Sequence, residues 1–110
     1  MKKLLGLLSL VCVLVLAACS NVSQKYADKI NAAAEAGEHY TVEQIREDLG
    51  DEAVEVLLLN SGVIYAVKGC ETKAEIQEKI DAGEEVEGIT IVILGGKAQS
   101  AKYSVINEVK

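Results

Sequence analysis

No tryptophan, phenylalanine or proline occurs in these 110 residues, and histidine occurs once, at His39. Without Phe or Trp, a core must be built from Ile, Leu, Val, Ala and four Tyr. Without proline, the turns fall to Gly, Asn and Ser. A single histidine leaves no Cys/His set with zinc-ligand spacing. No basic stripe appears, and acidic residues outnumber basic ones 17 to 11. Such a surface repels phosphate backbones, which argues against a nucleic-acid partner.

Catalytic constellations are missing too. Cys70 and His39 supply a nucleophile and a base, yet no third group orients them. Lys97 with Ser100, and Lys102 with Ser104, read as strand decoration. Gly95-Gly96 lacks the strand-to-helix setting of a phosphate loop. Asp81, Glu84, Glu85 and Glu87 do not follow calcium-loop spacing and read as a solvated acidic connector. The sequence therefore predicts no enzyme, no metal and no cofactor.

What is present begins at the N-terminus. Lys2 and Lys3 precede an uncharged stretch from Leu4 to Ala18, dominated by Leu and Val. These are the n-region and h-region of a secretory signal. The stretch falls short of the roughly 20 apolar residues of a spanning helix. Leu16-Ala17-Ala18-Cys19 follows at once, and it resembles the lipobox of bacterial prolipoproteins. The resemblance implies cleavage between Ala18 and Cys19 and diacylglycerol on the Cys19 thiol, often with acylation of the new amine. Two or more acyl chains anchor stably where one does not. The competing reading is an ordinary signal peptide cut elsewhere, with Cys19 incidental.

Removing residues 1–18 leaves 92 residues, enough for one small domain, with nine basic against seventeen acidic residues and a net charge of −8. That charge gives no polybasic hold on anionic lipid, so the lipid on Cys19 must attach the chain to the membrane. Cys12 leaves with the signal, and Cys70 remains without an intrachain partner. It is either a buried small hydrophobe or a free thiol for mixed disulfides.

Residues 19–25 read as the lipidated Cys and a polar tether, and 26–110 as a small α+β domain. A first helix runs from about Gln24 to Ala36, with Ser23 as N-cap and Gly37 as stop. Thr41 and Gln44 form a capping box, Tyr40 and Ile45 a hydrophobic staple, and Gly50 ends the second helix. Ala53–Leu59 and Val63–Lys68 read as strands. A turn at Ser61-Gly62 would pair Leu58 with Tyr65, Val56 with Val67, and Glu55 with Lys68. A three-residue loop would set Glu55 against Val67 instead. Thr72 and Glu75 open a third helix to Ala82, stopped by Gly83. Ile89–Leu94 and Lys97–Ile106 form a second hairpin around Gly95-Gly96. These elements predict helices packed on an antiparallel sheet of about four strands, following a cleaved signal helix.

Tyr40-Thr41-Val42-Glu43-Gln44-Ile45, continuing to Asp48-Leu49-Gly50, resembles the opening of SmpA/OmlA-type outer-membrane lipoprotein domains. Val63–Lys68 and Ile89–Ala98, with the Gly-Lys turn, resemble their later strands. The resemblance implies two helices on an antiparallel sheet, as in the β-lactamase-inhibitor-protein-like fold, and an envelope-assembly or binding role. The chain departs from that family at Asp51, where a proline is usual, and at Val67, often aromatic. The helical segment Cys70–Gly88 would be an insertion.

The sequence thus predicts a non-enzymatic lipoprotein of the cell envelope, on the extracytoplasmic side, that binds another envelope or extracellular protein. Leu57, Leu59, Ile64 and Ala66 share a strand face with Glu55 and are the expected partner surface. Val54, Val56, Leu58, Tyr65 and Val67 would pack against the helices, unless the third helix crosses and buries the first face. The alternatives are a small lipid-anchored ligand or ion carrier, an inhibitor of a secreted enzyme, or a signal peptide that itself becomes a pheromone. Cys19→Ala should leave the protein unprocessed or release it from membranes, with no incorporation of labelled palmitate. Labelling that persists in the variant would refute the anchor.

Overall fold

Ser23 opens the first element as expected, its hydroxyl accepting from the Tyr26 N–H at 3.3 Å. The computed structural model describes residues 21–109. Cys12, the expected signal helix and the Ala18–Cys19 cleavage and lipidation site lie outside the described residues. Helix α1 spans Gln24–Glu35 and α2 spans Val42–Leu49. A 3-10 turn, Gly50–Glu52, leads into β1, Ala53–Leu58. Strand β2, Ser61–Val67, is followed by α3, Lys73–Asp81, then β3, Glu87–Leu94, and β4, Lys97–Val105. The four strands form one antiparallel sheet in chain order. No described helix is long and apolar enough to cross a membrane.

The helix ends follow from side-chain chemistry. Both expected capping boxes form. Thr41 and Thr72 accept from the amides of Gln44 and Glu75, whose side chains accept from the Thr amides in return. α1 and α3 close alike. Glu38 N–H donates to the Ala33 carbonyl and Glu84 N–H to the Lys79 carbonyl, the long bond of a Schellman motif.

The first hairpin differs from expectation. Its turn falls on Leu59-Asn60, both left-handed at φ 53° and 64°, a type I′ geometry. Leu58 therefore faces Ser61, Val56 faces Val63, and Glu55 faces Ile64, so neither expected register is adopted. Gly62 explains the change. It lies inside β2, where a Cβ would collide with the Val56 carbonyl of β1. The glycine serves a close approach between strands, and the bend moves to the residues before it. Relative to the Ser61-Gly62 turn the pairing slips by four residues, an even number, so every side chain keeps its expected face. Glu55 meets Arg46 of α2 rather than Lys68, at 2.6 and 2.8 Å. That hydrogen bond holds its carboxyl below the usual carboxylate range.

Both faces carry a core. On one, α1 and α2 cover Ile64, Ala66, Ile89, Ile91 and Ile93 with Tyr26, Ala27, Ile30, Val42, Ile45 and Leu49. Each fully buried Ile contributes about 2 kcal/mol. With no larger aromatic available, Tyr26 and Tyr40 meet edge to face at 5.9 Å, and the Tyr26 hydroxyl donates to Asp48 at 2.8 Å. On the other face, α3 packs Ile76 against Val54, Tyr65, Val67, Cys70, Val86 and Ile106. Val86 thus belongs to the core, and its carbonyl accepts from the Ile106 N–H at 2.7 Å. The acidic stretch around it is not a loose connector.

The packed domain begins earlier than residue 26. Asn21 donates to the Asp48 carbonyl at 2.7 Å, and Val22 is buried in the α1–α2 core. Replacing the Thr41 cap with Ala should cost about 1 kcal/mol, read as a lower urea midpoint with unchanged slope. An unchanged midpoint would refute the contribution of the cap.

Candidate interaction surface

The face expected to bind a partner is mostly core. Ile64 and Ala66 are fully buried, and Leu57 is half-buried against the same cluster. The assignment of faces to helices was inverted: α1 and α2 lie over the Glu55 side, and only α3 lies over the other. Of the four expected residues, Leu59 alone is open, 90% exposed in its turn.

An uncovered apolar surface exists on the opposite side. On β1 and β2, Val56 and Val63 are half-buried at the margin of the α3 core. On β3, Val92 faces Val63. Leu58 and Leu94 extend the surface toward the two turns. Leu58 is 78% exposed, Leu94 63% and Val92 43%. α3 leaves them open because it is short. Nine residues make a helix of about 13 Å, against a four-stranded sheet about 19 Å wide. Its inward stripe is only Ile76 and Ile80, and both serve the end of the sheet near Cys70 and Val86.

The far end of the sheet is tied together by its main chain. Gly96 N–H donates to the Asn60 carbonyl at 2.7 Å, and Gly95 N–H to the Ser61 hydroxyl at 3.0 Å. These bonds hold the two turns side by side, so Leu58, Leu59 and Leu94 stand on a braced rim. Val42 N–H donates to the Gly96 carbonyl, and Ala98 N–H to the Tyr40 carbonyl, which fixes the start of α2 at the same end. Asp48, the partner of Asn21, lies at the other end of α2. Asn21 therefore sits at the end of the sheet from which β1 departs.

The outer edges of the sheet are unlike. Asn31 of α1 closes β4. Its Nδ2 donates to the Ala101 carbonyl at 2.8 Å, and its Oδ1 accepts from the Ala101 N–H at 2.9 Å. His39 Nδ1 meets the Ala98 carbonyl at 2.9 Å. A bulge in the β3–β4 ladder turns both Ala98 and Ala101 toward α1. Among the described residues, β1 carries no such cover.

His39 and Cys70 are not a pair. His39 belongs to the α1 side at the β4 edge, whereas Cys70 is buried among Tyr65, Ile76 and Val86 on the α3 side. Burial pushes the Cys70 thiol up from its ordinary pKa, away from the thiolate form. Among the described residues, no three His, Cys, Asp or Glu side chains converge as a metal-binding group.

Compared with protein-family models, with curated proteins and with solved structures, the chain matches none. The surface rests on geometry alone. Leu58, Val92 and Leu94 were missed, although β3 carries a signal: apolar residues at both parities, Ile89, Ile91 and Ile93 with Val92 and Leu94. Ile64→Asp should abolish cooperative unfolding, since it buries an unpaired charge. Leu94→Lys should change stability by no more than about 0.5 kcal/mol. The reverse ranking in chemical denaturation would show that the faces are misassigned.

Proposed function

We propose that this chain is a lipid-anchored protein of the bacterial cell envelope that holds another protein on the uncovered half of its sheet. The observation that carries this reading is the exposed run Leu58, Val92 and Leu94, continued inward by Val56 and Val63. Contiguous exposed apolar patches mark sites of interaction with proteins or membranes. The lipobox and the signal before it supply the anchor. The likeness to SmpA/OmlA domains supports an assembly role, with α3 as an added element.

The leash favours a partner protein over the bilayer. Only Ser20 separates Cys19 from Asn21, and two residues reach about 7 Å at most. Asn21 is held to Asp48, so the β1-start end of the domain stays near the lipid. Leu58 lies at the opposite end of β1, about 17 Å further along the strand. The apolar rim is thereby carried away from the bilayer.

A photo-crosslinking residue placed at Val92, in the lipidated protein in intact cells, tests this. The expected product is a discrete protein adduct that vanishes when Leu58→Lys is added, while a probe at Glu78 gives none. Adducts to lipid, or the same adducts from both positions, would overturn it.

A further inference from the structure

The two sheet edges suggest how such a partner is held. In a two-residue hairpin, the residues flanking the turn exchange both main-chain hydrogen bonds. Leu58 therefore bonds Ser61, and Val56 and Val54 bond their partners in β2. Glu55 and Leu57 direct their N–H and C=O groups outward. Among the described residues nothing hydrogen-bonds these four groups, whereas Asn31, Tyr40 and His39 occupy the equivalent edge of β4. Against edge pairing β1 carries one charge, Glu55, and neither proline, lysine nor a bulge.

We infer that the partner contributes an extended segment that adds antiparallel to β1 as a fifth strand, with apolar and basic side chains in alternation. The inference rests on the half-sheet being a protein-binding face, and it specifies the mode and the chemistry. An added strand points alternate side chains to opposite faces. On the α3 side they continue the row ending in Val56 and Leu58, so they must be apolar. On the α2 side they lie beside Glu55, with Glu43 close enough to act on its partner Arg46. The cation there, Arg46, is already engaged with Glu55. Basic side chains fit that face, and the net charge of −8 after signal removal speeds the encounter with a basic segment. A second copy of this chain fits worse, because β1 itself offers no basic side chain to stand opposite Glu55.

The register makes a further demand. The residues bonded to Glu55 and Leu57 stand directly opposite them, so their side chains share the α2 side. These are the basic residues. The main-chain N–H groups that matter are therefore those of the basic positions.

The full-length lipidated protein in phosphatidylcholine nanodiscs is titrated with labelled peptides of alternating Val and Lys. Controls are a block-ordered peptide of the same composition and an alternating Val and Glu peptide. Two further peptides carry N-methyl groups on every Lys or on every Val. The alternating Val–Lys peptide should bind at least about tenfold tighter than the block-ordered and Val–Glu peptides. Methylation at Lys should weaken it by about tenfold or more, the effect of losing one or two main-chain hydrogen bonds, while methylation at Val should not. Amide exchange at Glu55 and Leu57 should slow on binding. Indifference to order or to the site of methylation would overturn the inference, as would a dimer that protects these amides unaided. If strand addition fails while the Val92 adduct survives and remains sensitive to Leu58→Lys, the sheet face still binds protein by another mode. If that adduct is also absent, the proposed function falls with it.

Discussion

The pairing of β2 with β3 is the constraint on which the rest of the domain depends. Ile64 and Ile91 face each other on it, both fully buried, and Tyr65 lies on the reverse side in the second core. Among the described residues, these two strands are the only ones with a neighbour on each side. Their partnership spans the α3 excursion, so it is non-local and carries a loop-closure cost. Burial on both faces offsets that cost. α1 packs chiefly along β4 and α2 beside the start of β1, and both cover the Ile64 and Ile91 side chains that β2 and β3 supply, while α3 seats Ile76 against Tyr65 and Val67.

Much of this arrangement is legible in the sequence, because local chemistry and periodicity agree. Ser23, Thr41 and Thr72 open helices where capping predicts, and Gly37 and Gly83 close two of them. Strand faces are also legible, since a period of two survives a register error. Register itself is not. Gly62 reads as a turn residue by type, and only the nearness of the Val56 carbonyl reveals its other purpose. The cover of each face is equally hidden. Nothing local states that Arg46 will reach Glu55, or that Asn31 will clamp Ala101, 70 residues away. The expected partner surface failed for this reason: the right sets of residues were assigned to the wrong layer.

The two faces are also closed to different degrees. Two helices, a tyrosine pair and a main-chain clamp at Gly96–Ala98 seal one side. A single helix of nine residues seals part of the other. α3 supplies a wall beside an exposed apolar sheet without closing it, and Cys70 is buried beneath it with Ile76.

The position of Val22 has a consequence for the order of events during maturation. Val22 is part of the α1–α2 core, and Asn21 is bonded to Asp48. Under the proposed processing, the bond to be cut lies between Ala18 and Cys19, so a folded domain leaves almost no slack chain around it. A peptidase working at the bilayer surface needs several extended residues on each side of the cut. Folding of the N-terminal helix and removal of the signal therefore compete for the same short segment. Under the same proposal, export favours the peptidase, since the N-terminus emerges before the sheet against which Val22 and α1 pack. Under that processing, cleavage comes first and the seating of Val22 in the α1–α2 core follows it.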